Sequence, residues 1–306
     1  MQVALVNGLS YVLVTPARNE AFFIEDTIRS VLAQTTRPMR WVIVSDGSTD
    51  GTDEIAERYA REVSWIEFLR MPFRPERDFA GKVHAFNAGY ASLQKLRFDV
   101  VGSLDGDISF DARYFEVLVA KFAEMPRLGV AGTPFVEGER HYDYRFANIE
   151  HVSGACQLFR RECFEMIGGY APVPGGGIDW IAVTTARMKG WQTRTFTDTY
   201  CKHNRPIGSA TRGALRASFA LGQKDYRLGG HPVWELLRGV YQMRSPPYII
   251  RGLILMSGYF WDYVRGARKS VDAELQRFHR KEQMQRLKNL FFRSGRSSRT
   301  PSTTGC

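Results

Sequence analysis

Along roughly the first 125 residues the apolar positions switch repeatedly between two periods. "YVLVTP" is a continuous apolar run of strand length, and "EAFFIEDTIRSVLAQT" spaces its apolar residues as a helix does. "RWVIVSDGS" repeats the strand-and-turn pattern ahead of the helical "DGTDEIAERYAREV". "SWIEFLRM" reads as a third strand, and "AGKVHAFNAGYASLQK" as a helix whose small residues allow close packing. "FDVVGSLDGD" is the fourth strand, followed by the helical "DARYFEVLVAKFAEM". Strands apolar throughout and alternating with helices predict an α/β domain, with a mostly parallel sheet covered on both faces.

In such sheets ligands bind beyond the carboxyl ends of the strands. The polar clusters Arg18-Asn19-Glu20, Asp46-Gly47-Ser48 and Asp105-Gly106-Asp107 fall there. "TPARNEA" after the first strand has no glycine, which disfavours a dinucleotide-binding G-x-G-x-x-G turn. The third cluster is chemically the most informative. "DVVGSLDGDISFD" runs as a buried strand to Leu104 and then sets two carboxylates one glycine apart. Like charges that close repel, and each loses hydration near a core. A divalent cation offsets both costs, and a phosphate held through it is the usual reason for having one. Asp-Gly-Asp is also the composition of a tight turn with an Asx bond and a helix cap, and these residues alone leave both readings open.

From about residue 126 to 215 the pattern loosens into loops and short strands without an internal repeat; beyond about 216 it is rich in aromatics, Gly and Arg. We expect one α/β domain over 1–215, a helical amphipathic and basic region over 216–292, and an unstructured polar tail over 293–306. Within the second region, ten uncharged residues lie between Arg251 and Asp262, too few to span a bilayer. Tyr, Trp and Phe beside Arg and Lys there suit a helix lying in the membrane interface; a core helix followed by a solvated basic tail is the other reading. "MQVALVNGLSYVLV" lacks a basic start and an evident cleavage site, so no secretory leader is expected.

Composition changes this picture in one respect. With 44% hydrophobic and 24% charged residues the chain is ordinary globular protein, but its formal charge is +10. Residues 265–299 hold eleven Lys or Arg against three acids, a surplus of eight, so the basicity belongs to the tail. Its few aromatics, Phe278, Phe291 and Phe292, are not spaced through the basic residues as stacking positions, which argues against nucleic acid, whereas anionic lipid would attract such a stretch. Four scattered cysteines form no metal knuckle and suit a reducing cytoplasm.

Six segments in order, "VTPARNEAFFIEDTIRSVLAQT", "WVIVSDGSTDGTDEIAERYA", "AGKVHAFNAGY", "SLDGDI", "GACQLFRRECFEMIGGY" and "GGGIDW…RMKGWQTR", resemble family 2 glycosyltransferases of the GT-A fold, over roughly residues 10–205. "YRLGGHPVWELLRGVY" further on resembles bacterial transferases that build exopolysaccharide on a lipid carrier. The resemblance implies a Rossmann-like GT-A domain that transfers a sugar with inversion from a nucleotide-sugar, a UDP- or TDP-sugar, to a polysaccharide or lipid-linked acceptor. It also implies a Mg²⁺ or Mn²⁺ cofactor and a place on the cytoplasmic face of the membrane. The Q-x-x-R-W signature of processive synthases is absent, which favours one sugar per encounter.

Residue by residue, the resemblance assigns Thr15, Pro16, Ala17 and Glu20 to base and ribose, with helix capping as the other use of Glu20. It gives Asp46 the pyrimidine N3–H; a turn acid is the alternative, and Asp50 is the expected cap of the next helix. Asp107 is the first candidate metal ligand, with Asp105 at the ribose or in the metal shell and His203 completing coordination. Lys82 is a helix-start cation near the nucleotide, and Arg205 and Arg212 suit a diphosphate. Asp179 occupies the position of the general base that takes the acceptor proton, and a helix N-cap is its alternative. Ile178 stands where the family often has a second acid, and Trp180 can stack on an acceptor sugar. Two other classes compete. A sugar-nucleotide-forming nucleotidyltransferase would need a Gly- and Arg/Lys-rich loop that "TPARNEA" does not supply, and a degenerate scaffold would not need Asp46, Asp107 and Asp179 together.

Overall fold

The computed structural model describes residues 8–73, 79–136, 148–173, 176–205 and 211–296. The chain divides into two compact units, Met1–Gly208 and Ser209–Cys306.

The first unit opens with β1 (Tyr11–Ala17), α1 (Ile24–Leu32), β2 (Arg40–Ser45), α2 (Thr52–Glu62), β3 (Ile66–Arg70), α3 (Phe79–Leu93) and β4 (Val100–Leu104), the alternation expected from periodicity. It continues through β5 (Ile108–Phe110), α4 (Tyr114–Glu124), β6 (Leu128–Gly132), β7 (Phe135–Val136), β8 (Cys156–Arg160), α5 (Arg161–Met166), α6 (Ile178–Met188), β9 (Gln192–Thr195) and β10 (Cys201–His203). A seven-stranded sheet has the order β3-β2-β1-β4-β8-β6-β9, and a small second sheet the order β5-β10-β7.

The large sheet is parallel except at β8, which runs antiparallel to both β4 and β6. The stretch that reads as loops and short strands therefore supplies three members of the main sheet. Their brevity is why periodicity does not reveal them: "CQLFR" and "QTRT" carry too few residues to separate strand from loop. Val12, Leu13 and Val14 of β1 and Val42, Ile43 and Val44 of β2 are all fully buried, as helices on both faces require. On one face α3 lies close because Gly89 has no side chain; a Cβ there would stand 2.7 Å from Val14 Cγ1 and 2.8 Å from Val44 Cγ2.

Chain order runs outward from β1 to β3, then returns to β4 on the other side of β1. That reversal leaves a crevice at the carboxyl ends of β1 and β4. The small sheet adds to it, because antiparallel pairing of His203 with Ile108 brings the end of β10 to the residue after Asp107.

The second unit comprises α7 (Thr211–Arg227), α8 (Pro232–Gln242), α9 (Ile250–Val264) and α10 (Ala273–Arg296). Helix α10 continues four residues into the expected unstructured tail; residues 297–306 lie outside the described ones. Helices α7 and α9 cross at glycines, since a Cβ on Gly222 would meet Leu255 O at 2.0 Å and one on Gly258 would meet Phe219 O at 2.1 Å. Beside this crossing, buried Asp262 accepts from Arg227 Nε (2.7 Å) and Gln223 Nε2 (2.9 Å). No described helix is long and apolar enough to cross a membrane.

Glu235 on α8 is 1% exposed and its Oε1 has no partner, while the nearest cation, Arg238 at 3.9 Å, is bonded to Asp225. Burial pushes the Glu235 carboxyl up to about 7. The neutral form is thus the one the fold favours. Stability from this site is complete below the ordinary value of 4.5 and is lost as pH rises through about 7. Glu235→Gln should therefore flatten the decline in melting temperature between pH 5 and 8, with a relative gain at pH 8 of up to about 3 kcal/mol. Parallel melting curves for the two proteins across that range would show that Glu235 does not titrate there.

Candidate active site

A cavity of about 520 Å³ opens at the strand ends of the first unit. Pro16, Ala17, Arg18 and Glu20 line it from the end of β1, Asp46 from β2, and Lys82 from the first turns of α3. Asp105, Gly106 and Asp107 line it from the turn after β4, and Arg205 from the segment after β10. Its size suits a small-molecule ligand.

The rim is held by a loop-to-loop clamp. Asn19 Oδ1 accepts from Thr49 N (2.9 Å), Asn19 N donates to Ser48 Oγ (3.1 Å), Glu20 N donates to Thr52 Oγ1 (2.8 Å) and Ala21 N donates to Asp50 Oδ2 (3.0 Å). Gly51, not the expected Asp50, is the N-cap of α2; Asp50, one residue ahead, accepts from Thr52 N (3.2 Å) and serves the clamp. Asn19 has φ 57°, a left-handed conformation that Asn tolerates better than most residues. The "DGSTDGT" segment thereby fixes Arg18 and Glu20 as well as its own Asp46.

Four carboxylates line this space, each with a cation beside it. Asp46, 5% exposed, lies 3.5 Å from Arg18 Nη1. Asp105 is paired with Lys82. Burial raises the Asp105 carboxyl and outweighs the opposing pull of Lys82. Burial depresses the Lys82 ammonium, but the charge and hydrogen bond of Asp105, with Asp179 and Asp107 behind, leave it above its ordinary range. Arg205 bridges the remaining two, donating from Nε to Asp107 Oδ2 (3.0 Å) and from Nη2 to Glu20 Oε2 (2.5 Å). Burial, then the Asp107 charge, pushes Glu20 above its ordinary value despite that bond.

His203 Nε2 stands 3.4 Å from the same Asp107 oxygen, and Asn204 N donates to Asp107 O (2.8 Å). Asp107 and His203 are thus close enough to serve one cation. Among the described residues no three His, Cys, Asp or Glu side chains converge as a complete metal cage. The donor set fits a hard divalent ion that takes its other ligands from phosphate and water.

The other expected site residues fall elsewhere. Thr15 is fully buried in β1 and its hydroxyl accepts from Trp41 Nε1 (2.9 Å), so it supports the strand from within the core and does not line the cavity. Asp179 is not an N-cap: Gly177, with φ 95°, caps α6, and Asp179 lies in the first turn. It is half-buried against Gly154, and its charge acts on Lys82 and Tyr170. Trp180 is half-buried beside it, and neither lines the cavity. Arg212 begins α7, with its side chain outside the described residues. Sequence reasoning gave no role to Arg18, although it stands in the same polar cluster as Glu20. Tyr170 is buried, with its hydroxyl donating to Gln157 Oε1 (2.6 Å), and no local pattern points to it.

The family model described as glycosyl transferase family 2 matches residues 12–168, the stretch that supplies β1, β2, β4 and the Asp-Gly-Asp turn. The chain belongs to glycosyl transferase family 2. Poly-beta-1,6-N-acetyl-D-glucosamine synthase of Staphylococcus aureus (strain COL) is 28% identical to this transferase over 151 residues, 48% of this chain and 34% of that protein. The Staphylococcus epidermidis synthase matches to the same extent, so the transferase spans about a third of the length of these curated relatives. Among solved structures, a mannosyltransferase from Pyrobaculum calidifontis in complex with GDP-Man and Mn²⁺ aligns with TM-score 0.57 at 20% identity, over 88% of this chain and 79% of that one. S. aureus TarS 1–349 in complex with UDP-GlcNAc aligns with TM-score 0.51 at 13% identity, over 89% and 78% of the two chains. At such identities the likeness establishes the fold of the transferase, GT-A, and nothing finer.

The clamp yields a test of how the rim is built. Asn19→Gly keeps the left-handed backbone and loses only the bond to Thr49, which should cost about 1 kcal/mol in denaturant unfolding. Asn19→Ala adds left-handed strain of about 1–2 kcal/mol. Equal losses in the two variants would mean that the backbone conformation contributes nothing.

Proposed function

We propose that this transferase moves one sugar, with inversion, from a UDP-sugar to a polysaccharide or lipid-linked saccharide acceptor at the cytoplasmic surface of a membrane. The observation that carries the reading is the set of acids gathered at the ends of β1, β2 and β4, with Asp179, in the first turn of α6, close enough to act on Lys82. In this scheme Asp46 accepts the uracil N3–H while Pro16, Ala17 and Glu20 surround base and ribose. Lys82 and Arg205 turn from Asp105 and Asp107 toward the diphosphate. Asp107 and His203, with Asp105 behind them, would hold a Mg²⁺ or Mn²⁺ ion, whose chemistry is to neutralise charge on the departing diphosphate. Asp179 takes the acceptor hydroxyl proton, the oxygen bonds to the anomeric carbon, and the bond from that carbon to the phosphate oxygen breaks to release UDP. Trp180 would lie along the acceptor.

The names of the relatives support the reading. The synthases make a poly-N-acetylglucosamine, and TarS is solved with UDP and UDP-GlcNAc. The mannosyltransferase is solved with GDP-Man, which makes GDP the competing nucleotide.

Calorimetry should find UDP bound at least tenfold more tightly than GDP, and more tightly with Mn²⁺ than with EDTA. Asp46→Asn should lose on the order of 1–3 kcal/mol of UDP affinity through a mispaired buried group. Unchanged UDP affinity in that variant would take Asp46 out of the base site. Asp179→Asn should bind UDP and Mn²⁺ as the unaltered protein does, yet turn over about 10²–10⁴-fold more slowly. Near-normal turnover would put the base elsewhere.

A further inference from the structure

Helix α8 is inside out. Val233, Leu236, Leu237, Val240 and Tyr241 follow one another at i, i+3, i+4, i+7 and i+8, the spacing of a single helical face. That face points to solvent, with exposures from 40% for Leu237 to 58% for Tyr241, while the buried side holds Glu235 and Gly239. Helix α9 repeats this in part: Ile250, Leu253, Trp261 and Val264 are 49%, 50%, 53% and 83% exposed, while Asp262 is buried along with Gly252, Leu255, Gly258 and Tyr259. The two helices touch where small residues permit it, since a Cβ on Gly252 would stand 2.2 Å from Gly239 O. Between them the corner exposes Tyr248 (66%) and Ile249 (60%). Ile249 has φ 62° and ψ −54°, a conformation that a β-branched residue seldom adopts and that strains the backbone.

Charge identifies the partner. Across residues 232–271 the only acids are Glu235 and Asp262, both buried. Arg244, Arg251, Arg265 and Arg268 stand exposed or half-exposed around the apolar surface, Arg265 resting 5.4 Å over the Trp261 ring. An apolar face ringed by arginine and aromatic groups and free of exposed acid complements anionic lipid headgroups over a hydrocarbon layer. We propose that the outward stripe of α8 and the α8–α9 corner form a membrane-docking surface, in which Leu237, Val240, Ile249 and Leu253 enter the acyl boundary while Arg244 and Arg251 contact anionic headgroups. This rests on the part of the proposed function that sets the transferase at a membrane, and it assigns the work to a folded two-helix surface and not to the basic tail.

The test uses the full chain and sedimentation with vesicles of phosphatidylcholine, with and without one-quarter phosphatidylglycerol. The triple variant Val240→Ser, Ile249→Asn, Leu253→Gln alters only exposed side chains, and Asn tolerates left-handed backbone. Its partitioning onto anionic vesicles should fall at least tenfold with its melting temperature held within a few degrees. Arg244→Gln with Arg251→Gln should remove the preference for phosphatidylglycerol. Replacing Lys281, Arg286 and Lys288 on α10 by Gln should change partitioning less than twofold. Triple-variant partitioning within twofold of the unaltered protein would overturn the proposal. So would absence of vesicle binding by the unaltered chain, or self-association in ultracentrifugation that the triple variant abolishes, which would make the face a contact between copies. UDP binding measured on the same preparations reads the transferase function separately: its loss with docking intact would remove the donor assignment and leave the surface standing.

Discussion

Negative charge concentrated at the ends of parallel strands is the constraint on which this protein is built. Asp105 and Asp107 lie within one turn, Glu20 reaches the same space from β1, and burial raises the carboxyls of Asp105 and Glu20 above their ordinary values. Cations from distant parts of the chain oppose that shift without cancelling it. Lys82 comes from α3, and Arg205 comes from beyond β10 to join Glu20 with Asp107, 98 residues earlier in sequence. The long-range fold is therefore partly a device for setting cations against acids where a ligand can meet them. Because Arg205 already bonds the Asp107 oxygen that faces His203, any cation at that oxygen must compete with a guanidinium.

The rest of the first unit supplies position. Parallel pairing of β1 with β2 and β4 sets the three strand ends level, and the hydrogen bonds between 18–21 and 48–52 prevent the rim from spreading. The antiparallel β8 brings a different benefit. Its pairing with β4 sets Ala155 O against Asp105 N at 2.9 Å and carries Gly154 to the side chain of Asp179. A residue from α6 is thereby coupled to the acid turn without sharing a strand with it.

The C-terminal unit obeys the opposite rule of burial. Its interior contains an ion pair at Asp262 and Glu235, whose Oε1 has no hydrogen-bond partner, and its exterior carries leucines, valines and isoleucines. Close helix–helix approach is achieved by glycine at Gly222, Gly239, Gly252 and Gly258, with Tyr226 of α7 packing edge to face on Tyr259 and Tyr263 of α9. Large apolar groups that the core does not use are then free to face outward. Such an arrangement is stable in water only because glycine crossings and buried polar bonds replace part of the usual apolar core.

Periodicity by itself determined β1 to β4 and α1 to α4, because each is long enough for a period to register, whereas β5, three residues long, is not. The sites of Glu20, Asp46, Asp105 and Asp107 were legible for the same reason, since parallel topology obliges strand ends to share one edge, whereas Lys82 was indicated only by the resemblance. Tertiary structure alone decided the rest. Short strands such as β8 and β9 take their place from pairing partners, so nothing local distinguishes them from loops. Thr15 reads as a site residue by position, yet its hydroxyl belongs to Trp41, an interaction that exists only once β1 and β2 are side by side. The contacts of Arg205 and Arg18 with acids, and the direction in which the apolar faces of α8 and α9 point, depend on which elements pack against which. Sequence specifies what each helix face is made of; only packing decides which face meets water.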